Sequence, residues 1–527
     1  MDHEDVDLES VEREKALIES LSHGHAYVHP VEDVRVLDTH ISWVVLTGDL
    51  AYKIKKPIKL DFLDYSTLAK RKHFCERELE LNRRWAPGLY LDVVPICGSF
   101  SEPFVGGKGP PIEYAVRMKQ FPQSAQLDEQ LVAGRLDAAD MFGLAETVAK
   151  THAAVPAYTL LSAAEFFAAT RQVMLDNFDF LHEGTDAEAL DKLLSWTRES
   201  LNDCRQLVID RYENGFVREC HGDLHLKNLV RLPSGIVPYD CVEFSVELRN
   251  IDVISDVSFL VMDLVARGET QFAYAFINRY LECSGDYAGV LLLGLYVVYH
   301  ALIRAKIAAI RSIERVQDVE RLQDLEEAVH YCAVATRWID AGRPRLVLMH
   351  GLSGSGKTRL SQQLMLRLPA VRVRSDIERK RMHGLTETED SGSAVGEGLY
   401  APDSRTDIYE RLLGLAEDIL EAGHNVIVDA SFLDRAERNR FRALAEKVGS
   451  DFLIVSVSAA REELHRRLDS RQHESADSSE ADVAVLRYQL EHADTIDVDE
   501  RHCTIDVATD EPFDIDRLAI RVLDHEP

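Results

Sequence analysis

Two short runs in this chain have the residue types and spacing for phosphate chemistry. Gly351-Leu352-Ser353-Gly354-Ser355-Gly356-Lys357-Thr358 is a complete phosphate-binding loop. Its glycines, Gly351, Gly354 and Gly356, let the backbone turn tightly, so that successive N–H groups, with Ser353 and Ser355 between them, face phosphate oxygens. Lys357 suits the β- and γ-phosphates of ATP, and the Thr358 hydroxyl suits Mg2+. The second run is His221-Gly222-Asp223-Leu224-His225-Leu226-Lys227-Asn228. Here Asp223 can orient an acceptor hydroxyl, and Asn228, five residues on, can hold Mg2+. Asp240 follows in the stretch Tyr239-Asp240-Cys241-Val242-Glu243-Phe244 and offers a second metal acid.

Chemistry of this kind needs rigid elements behind it. Before the phosphate loop, Arg345 to His350 is a short, mostly apolar run that predicts a buried parallel strand. After it, 359–365 has helical apolar spacing, which puts a helix N-terminus and its favourable dipole at the loop. A second strand over 371–376 ends in Asp376, an acid placed to take a proton from an acceptor hydroxyl, with Arg379 three residues beyond. A third strand, 425–429, ends in Asp429, which fits a metal-associated or substrate-positioning acid. The basic helix 461–471 ends in Arg471, a group able to stabilise charge on a phosphoryl group in transfer. For any one of these arginines, a solvated helix face is the rival reading.

The earlier motif needs a small β-rich lobe carrying a lysine. Ser42 to Leu46 and Leu50 to Lys55 read as a hairpin around Thr47-Gly48-Asp49. Lys53 and Lys55 point to one face of it. Lys53 is favoured as the phosphate-holding lysine, with Lys55 its rival. On the following helix, about 66–85, Glu78 is the expected ion-pair partner, and Glu76 and Glu80 are the alternatives. The run from Glu113 to Pro122, including Met118, reads as a strand and hinge for adenine. Asp38 to Ser42 is the candidate cover over the phosphates.

From the loop, Ser375-Asp376 with Arg379, the Val-Asp-Ala-Ser run at 428–431, and Arg471 with Ser479-Glu480-Ala481 and Gln489, the segment 343–525 resembles small P-loop kinases of the zeta-toxin, polynucleotide-kinase and gluconate-kinase type. That resemblance implies γ-phosphate transfer to a hydroxyl with Asp376 as general base. From the His-Gly-Asp-Leu-His form, Asp240 with Glu243, and Arg249-Asn250-Ile251-Asp252 running to Asp256, residues 20–335 resemble the aminoglycoside phosphotransferase and fructosamine-kinase branch of the kinase-like fold. One departure stands out: no Gly-x-Gly-x-x-Gly loop precedes Lys53. The pair together resembles bacterial two-domain proteins that join such a domain to a C-terminal P-loop kinase.

The resemblances imply an α+β bilobal protein-kinase-like N-terminal domain plus an α/β P-loop NTPase domain with a central parallel sheet. The expected organisation is a polar lead-in at 1–24, a kinase-like domain at 25–339 (small lobe 25–122, helical lobe 126–339) and a P-loop domain at 343–527. Helices are expected at 136–155, 163–183, 187–213, 248–267, 270–283, 286–313 and 316–339, and another near 405–422. Asp340-Ala341-Gly342-Arg343-Pro344 is a short joint. Segments 386–403 and 472–480 are candidate substrate covers, or plain surface loops.

Composition narrows the partners. The chain has 527 residues, 46% hydrophobic and 28% charged, which suits two or three soluble domains. Its formal net charge of −30 opposes general binding to nucleic acid or to acidic membrane surfaces. Eight cysteines without a Cys-x-x-Cys pair read as reduced thiols in a cytoplasm and give no zinc pattern. The acidic N-terminus lacks the apolar core of a signal peptide. The apolar run 291–299 is short enough to be a buried helix. The expected function is a bifunctional phosphotransferase using ATP and Mg2+ on small-molecule hydroxyl acceptors. The alternative is one P-loop kinase regulated by a nucleotide- or metabolite-binding N-terminal domain.

Overall fold

The computed structural model describes residues 8–31, 33–60, 63–181, 186–315, 317–340, 342–387, 389, 402–471 and 483–525. The chain divides into two compact units. Unit 1 holds residues 1–136, 151–160 and 214–256; unit 2 holds 137–150, 161–213 and 257–527.

In unit 1, helix α1 (Leu8–Leu21) precedes a six-stranded antiparallel sheet of β1 (Arg35–Asp38), β2 (Ser42–Leu46), β3 (Leu50–Lys55), β4 (Tyr90–Gly98), β5 (Pro103–Val105) and β6 (Pro111–Lys119). The sheet order is β1-β2-β3-β6-β4-β5. The Thr47-Gly48-Asp49 turn closes the β2–β3 hairpin in the expected register, with Val44 opposite Lys53 and Ser42 opposite Lys55. Between β3 and β4 runs α2 (Leu68–Trp85), capped by the Thr67 hydroxyl, which accepts from the Lys70 N–H. One sheet face packs on Leu17, Leu21, Val45, Tyr52, Ile54 and Ile96, the other on Cys75, Leu89, Tyr90 and Val116. Three short antiparallel pairs complete the unit: Lys59–Leu60 with Leu63–Asp64, β7 (Val217–Glu219) with β10 (Asn250–Asp252), and β8 (Leu229–Leu232) with β9 (Gly235–Pro238).

Unit 2 is built on a five-stranded parallel sheet in the order β12-β13-β11-β14-β15, formed by β11 (Arg345–His350), β12 (Ala370–Arg374), β13 (Asn425–Asp429), β14 (Asp451–Ser458) and β15 (Thr504–Ala508). The three central strands β13, β11 and β14 are mostly apolar runs because both of their faces are covered. Among the described residues, the longer helices beyond α2 are α3 (Ala138–Ala154), α4 (Ala163–Asp176), α5 (Ala187–Asp203), α6 (Arg205–Glu213), α7 (Val253–Ala266), α8 (Thr270–Ser284), α9 (Val290–Glu314) and α10 (Asp318–Ile339), then α11 (Lys357–Met365), α12 (Ser375–Met382), α13 (Pro402–Glu421), α14 (Arg435–Val448), α15 (Arg461–Arg471), α16 (Val483–His492) and α17 (Ile515–Leu523). Leu360, Leu364 and Met365 of α11 pack with Leu518 and Val522 of α17 on Val347, Ile427 and Val455 of the sheet.

Three expected helices differ from the structure. The stretch 187–213 is two helices, because Cys204 takes ψ near 0° after the weak helix formers Asn202 and Asp203. Within 248–267, residues 250–252 pair as a strand with 217–219, and α7 starts only at Val253. The Asp252 carboxylate accepts the Ile254 N–H at 2.9 Å, so a capping acid sets that start. The helix expected over 163–183 ends at Asp176 and gives way to a 3-10 turn at 177–180. The apolar run near 291 lies in a helical stretch, 287–313, long and apolar enough to cross a membrane; 67% of its window is buried within the protein. His300 there stacks on Phe259 at 4.4 Å between ring centroids. The candidate cover 472–480 lies outside the described residues, as do 390–401 of the other.

Candidate functional site

Period-two alternation along β3 sends both lysines to one face, and the structure brings both to Glu78 of α2. Lys53 Nζ lies 2.9 Å from Glu78 Oε1, and Lys55 Nζ 2.7 Å from Oε2. Beyond that shared carboxylate the lysines part. Lys53 pairs with Asp240, whereas Lys55 pairs with Glu243, which also accepts from the Tyr65 hydroxyl. Lys55 and Glu78 are completely buried. Burial alone would raise the Glu78 carboxyl, but Lys53 and Lys55 hold it down at about 2. Burial works against the Lys53 ammonium too, and Asp240 and Glu78 reverse it, raising it well above the usual lysine range. Glu76 and Glu80, the other candidate partners, pair instead with Lys72 and Arg77 on the outer face of α2.

Asp240 stands in the left-handed region at φ 63°, a conformation Asp tolerates better than most residues. Its N–H donates to the Tyr90 hydroxyl at 3.1 Å, and the next N–H, of Cys241, donates to Asn82 Oδ1 at 2.9 Å. Strand β4 and helix α2 thus fix the acid's backbone. The catalytic-loop residues are held from below. Asp256 accepts the N–H groups of His221 at 3.1 Å and Gly222 at 2.8 Å, and His152 Nε2 lies 3.0 Å away. Burial opposes ionisation of Asp256, and His152 and His221 outweigh it, so its carboxyl stays below the ordinary value. His221 is itself pushed down by burial, against the pull of Asp256 and Asp223. Gly222 has φ 81°, and a Cβ there would lie 2.8 Å from the Leu248 carbonyl. The loop ends with Asn228 Nδ2 donating to Asp223 Oδ2 at 2.8 Å, which brings the candidate base and metal amide together. Met118 is buried in β6 opposite Ala51 and Tyr90.

In unit 2 the phosphate loop joins β11 to α11. Gly351 has φ 145°, and a Cβ on it would meet the Val457 carbonyl at 2.2 Å; Gly354 and Gly356 have φ 82° and 91°. No other residue type fits the Gly351 position without moving β14. The loop's outer side is tied down by Gln489, which accepts the Ser353 N–H at 2.8 Å. Ser355 is buried, and its hydroxyl has no partner among the described residues. Lys357 Nζ donates to the Leu352 carbonyl at 2.8 Å. Asp429, at the end of β13, accepts from Ser361 of α11 at 2.9 Å. Asp376 and Arg379 lie 3.4 Å apart at the start of α12. His350, at the end of β11, is pushed down to about 4 by burial, with Arg438 and Lys357 adding to the effect.

Both sites fit ATP and Mg2+. A glycine backbone that a Cβ would obstruct and an orphaned buried hydroxyl make an anion cradle in unit 2. In unit 1 the oxygens of Asn228 and Asp240, beside Asp223, are the donor chemistry that Mg2+ takes.

Arg471 is the last residue of α15, and its side chain lies outside the described residues, as do Ser479, Glu480 and Ala481. The arginine that touches the loop is Arg467, one helical turn earlier, with Nη1 3.2 Å from the Gly354 carbonyl and 2.9 Å from Thr509 Oγ1. Sequence reasoning passed over Arg467, although its i,i−4 relation to Arg471 marks one helix face. Tyr65 and His152 were also missed, and no local spacing points to either.

Residues 346–496 match the family model of the AAA domain. An uncharacterized protein of Mycobacterium tuberculosis strain H37Rv is 27% identical over 479 residues, 90% of this chain and 94% of that protein. Among solved structures, the ethanolamine kinase of Plasmodium vivax is 12% identical and covers 63% of this chain and 95% of its own, with a TM-score of 0.37. A gluconokinase from Sinorhizobium meliloti 1021 is 21% identical and covers 34% of this chain and 91% of its own, with a TM-score of 0.25.

Proposed function

We propose that the chain is an ATP-dependent phosphotransferase with two separate sites, each moving a γ-phosphate to a hydroxyl of a small molecule. The observation that carries this reading is that each site gathers a complete set of groups from distant parts of the sequence. In one, Lys53, Glu78 and Asp240 meet beside the Asp223–Asn228 loop. In the other, the strand–loop–helix cradle with Lys357 stands with Asp376, Arg379 and Asp429 at the starts and ends of neighbouring elements. Mg2+, when bound, would supply positive charge to neutralise the phosphates. Thr358 and Asp429 would hold it in unit 2, and Asn228 and Asp240 in unit 1. Asp223 and Asp376 would accept the proton that the hydroxyl loses as its oxygen bonds to phosphorus and the bond to the β-phosphate oxygen breaks, releasing ADP. Met118 would lie along the adenine, and Arg379 with Arg471 would face the transferring charge. The acidic net charge supports small acceptors over nucleic acid and accords with a cytoplasmic setting.

A second reading has one observation in its favour. Lys53 pairs directly with Asp240, the acid meant for metal, so the unit 1 site stands in a self-neutralised form suited to sensing. The deciding experiment measures acceptor-stimulated ATP turnover in wild type, Lys357→Ala and Asp223→Asn over sugars, aminoglycosides, nucleosides and oligonucleotide ends. Two activities, each lost in one variant by at least about a hundredfold, are expected. Loss of all turnover in either folded variant would sink independent catalysis, and turnover that depends on Lys357 alone would make unit 1 a sensor.

A further inference from the structure

A cavity of about 350 Å3 lies within unit 2, in the size range of small-molecule sites. Thr358 and Gln362 of α11 line it, so it adjoins the metal end of the phosphate loop. Strand β12 contributes Arg372 and Arg374. Met365 and Glu387 also line it, and the rest of the wall comes from residues that precede the joint at 340–344, with Glu146 on α3 and Arg279 and Glu282 on α8.

These side chains form one closed ionic set. Glu282 lies 2.7 Å from Arg372 and 3.3 Å from Arg279. Arg279 also meets Glu146 and Glu387, each at 2.7 Å, and Glu387 lies 3.3 Å from Arg374. The wall is fixed in place because Asn278 accepts the Arg372 N–H at 2.6 Å and donates to the Ala370 carbonyl at 2.9 Å. Arg372 is 4% exposed, and its Nε–H has no partner among the described residues, an orphaned donor on a cavity wall. Three guanidinium groups and three carboxylates alternate, so a charged ligand of either sign meets as much repulsion as attraction. Hydroxyl groups answer both, donating to carboxylates and accepting from guanidinium N–H groups.

We propose that this cavity is the acceptor pocket of the P-loop site and takes a neutral polyhydroxylated molecule of sugar size, with Glu146, Arg279 and Glu282 as specificity-determining residues supplied from outside the P-loop segment. The proposal rests on the phosphotransferase reading for its link to turnover, but the binding it describes can be measured without turnover. The field at Arg374 supports the link: burial works against its charge, and Glu282, then Asp429 and Asp376, the acids of the phosphate-loop site, outweigh it.

The test is calorimetric titration of the full chain with glycerol, D-ribose, D-glucose, D-mannitol and myo-inositol, followed by the amino, carboxylate and phosphate counterparts of the tightest binder. A neutral probe should bind at least tenfold more tightly than each charged counterpart. Glu146→Ala, at a half-exposed position that a folded chain tolerates, should weaken it at least tenfold, and Glu146→Gln, which keeps a hydrogen-bonding carbonyl, by less. Affinity for a non-hydrolysable ATP analogue should hold in both. Absence of binding by every neutral probe, tighter binding of a charged counterpart, or indifference to Glu146→Ala overturns the proposal. If the neutral probe binds as expected but no Lys357-dependent transfer to it is seen, the pocket stands and the phosphotransferase reading of unit 2 falls.

Discussion

The two nucleotide-type sites differ in what they are made of. The site of unit 1 is built from side chains, with two lysines and three carboxylates locked together, Glu78 shared between Lys53 and Lys55. The site of unit 2 is built from backbone, where glycine conformation aims N–H groups and a single lysine rests on a loop carbonyl. On the proposed reading, the first would exchange ion pairs on binding phosphate and metal, and the second would keep its shape. A side-chain site is therefore vulnerable through burial of charge, and a backbone site through added bulk.

The sharpest way to break this contrast is at Lys55. Lys55→Met leaves Glu243 and half of Glu78 buried without their cation, and such loss is worth about 3–5 kcal/mol. Denaturant unfolding followed by a unit 1 signal should show it, while Lys53→Met, at the more exposed position proposed to hold phosphate, should cost stability less and turnover more. Equal stability loss in the two would remove the distinction between a structural and a phosphate-holding lysine. Next in size is Gly351→Ala, whose added Cβ meets the Val457 carbonyl at 2.2 Å. Nucleotide binding to unit 2 should fall about a hundredfold, roughly 2.7 kcal/mol, with binding to unit 1 unchanged; analogue titration in the Asp223→Asn background reads it. The smallest effect, taken per pH unit, concerns titration. His350 and His424 are held down to about 4, chiefly by burial, so the folded protein binds fewer protons than the unfolded chain below about pH 6.5. Stability is then fully present above that pH and falls as pH drops towards 4, by up to about 1.4 kcal/mol per pH unit for each histidine. His424→Gln should halve the slope of unit 2 stability against pH between 6.5 and 4; an unchanged slope would remove His424 from the linkage.

Much of both sites was legible because local rules dictate them. A glycine-spaced loop between an apolar run and a helical pattern has few alternatives, and the hairpin around Thr47-Gly48-Asp49 follows from alternation and a turn. Lys53 and Lys55 could not be ranked, since period two places both on one face and only the α2 carboxylate and the 240–243 segment separate their partners. The strand at 250–252 escaped because its pairing with 217–219 is long-range and overrides helical spacing. Glu146, Arg279 and Glu282 carried no signal of chemistry: on amphipathic helices such residues read as solvated faces, and only the approach of α8 to β12 makes them a wall.

The bond between Glu282 and Arg372 also bears on heredity. It joins residues on opposite sides of the short stretch 340–344, and each is almost wholly hidden from water. A recombination event that replaced everything after that stretch with a foreign phosphate-loop segment would leave the buried Glu282 with Arg279 as its remaining guanidinium partner. One that discarded everything before it would leave the buried Arg372 without its carboxylate, while Arg374 keeps Glu387. The stretches before and after it are thus bound to change together, each acting as a constraint on which mutations the other can keep.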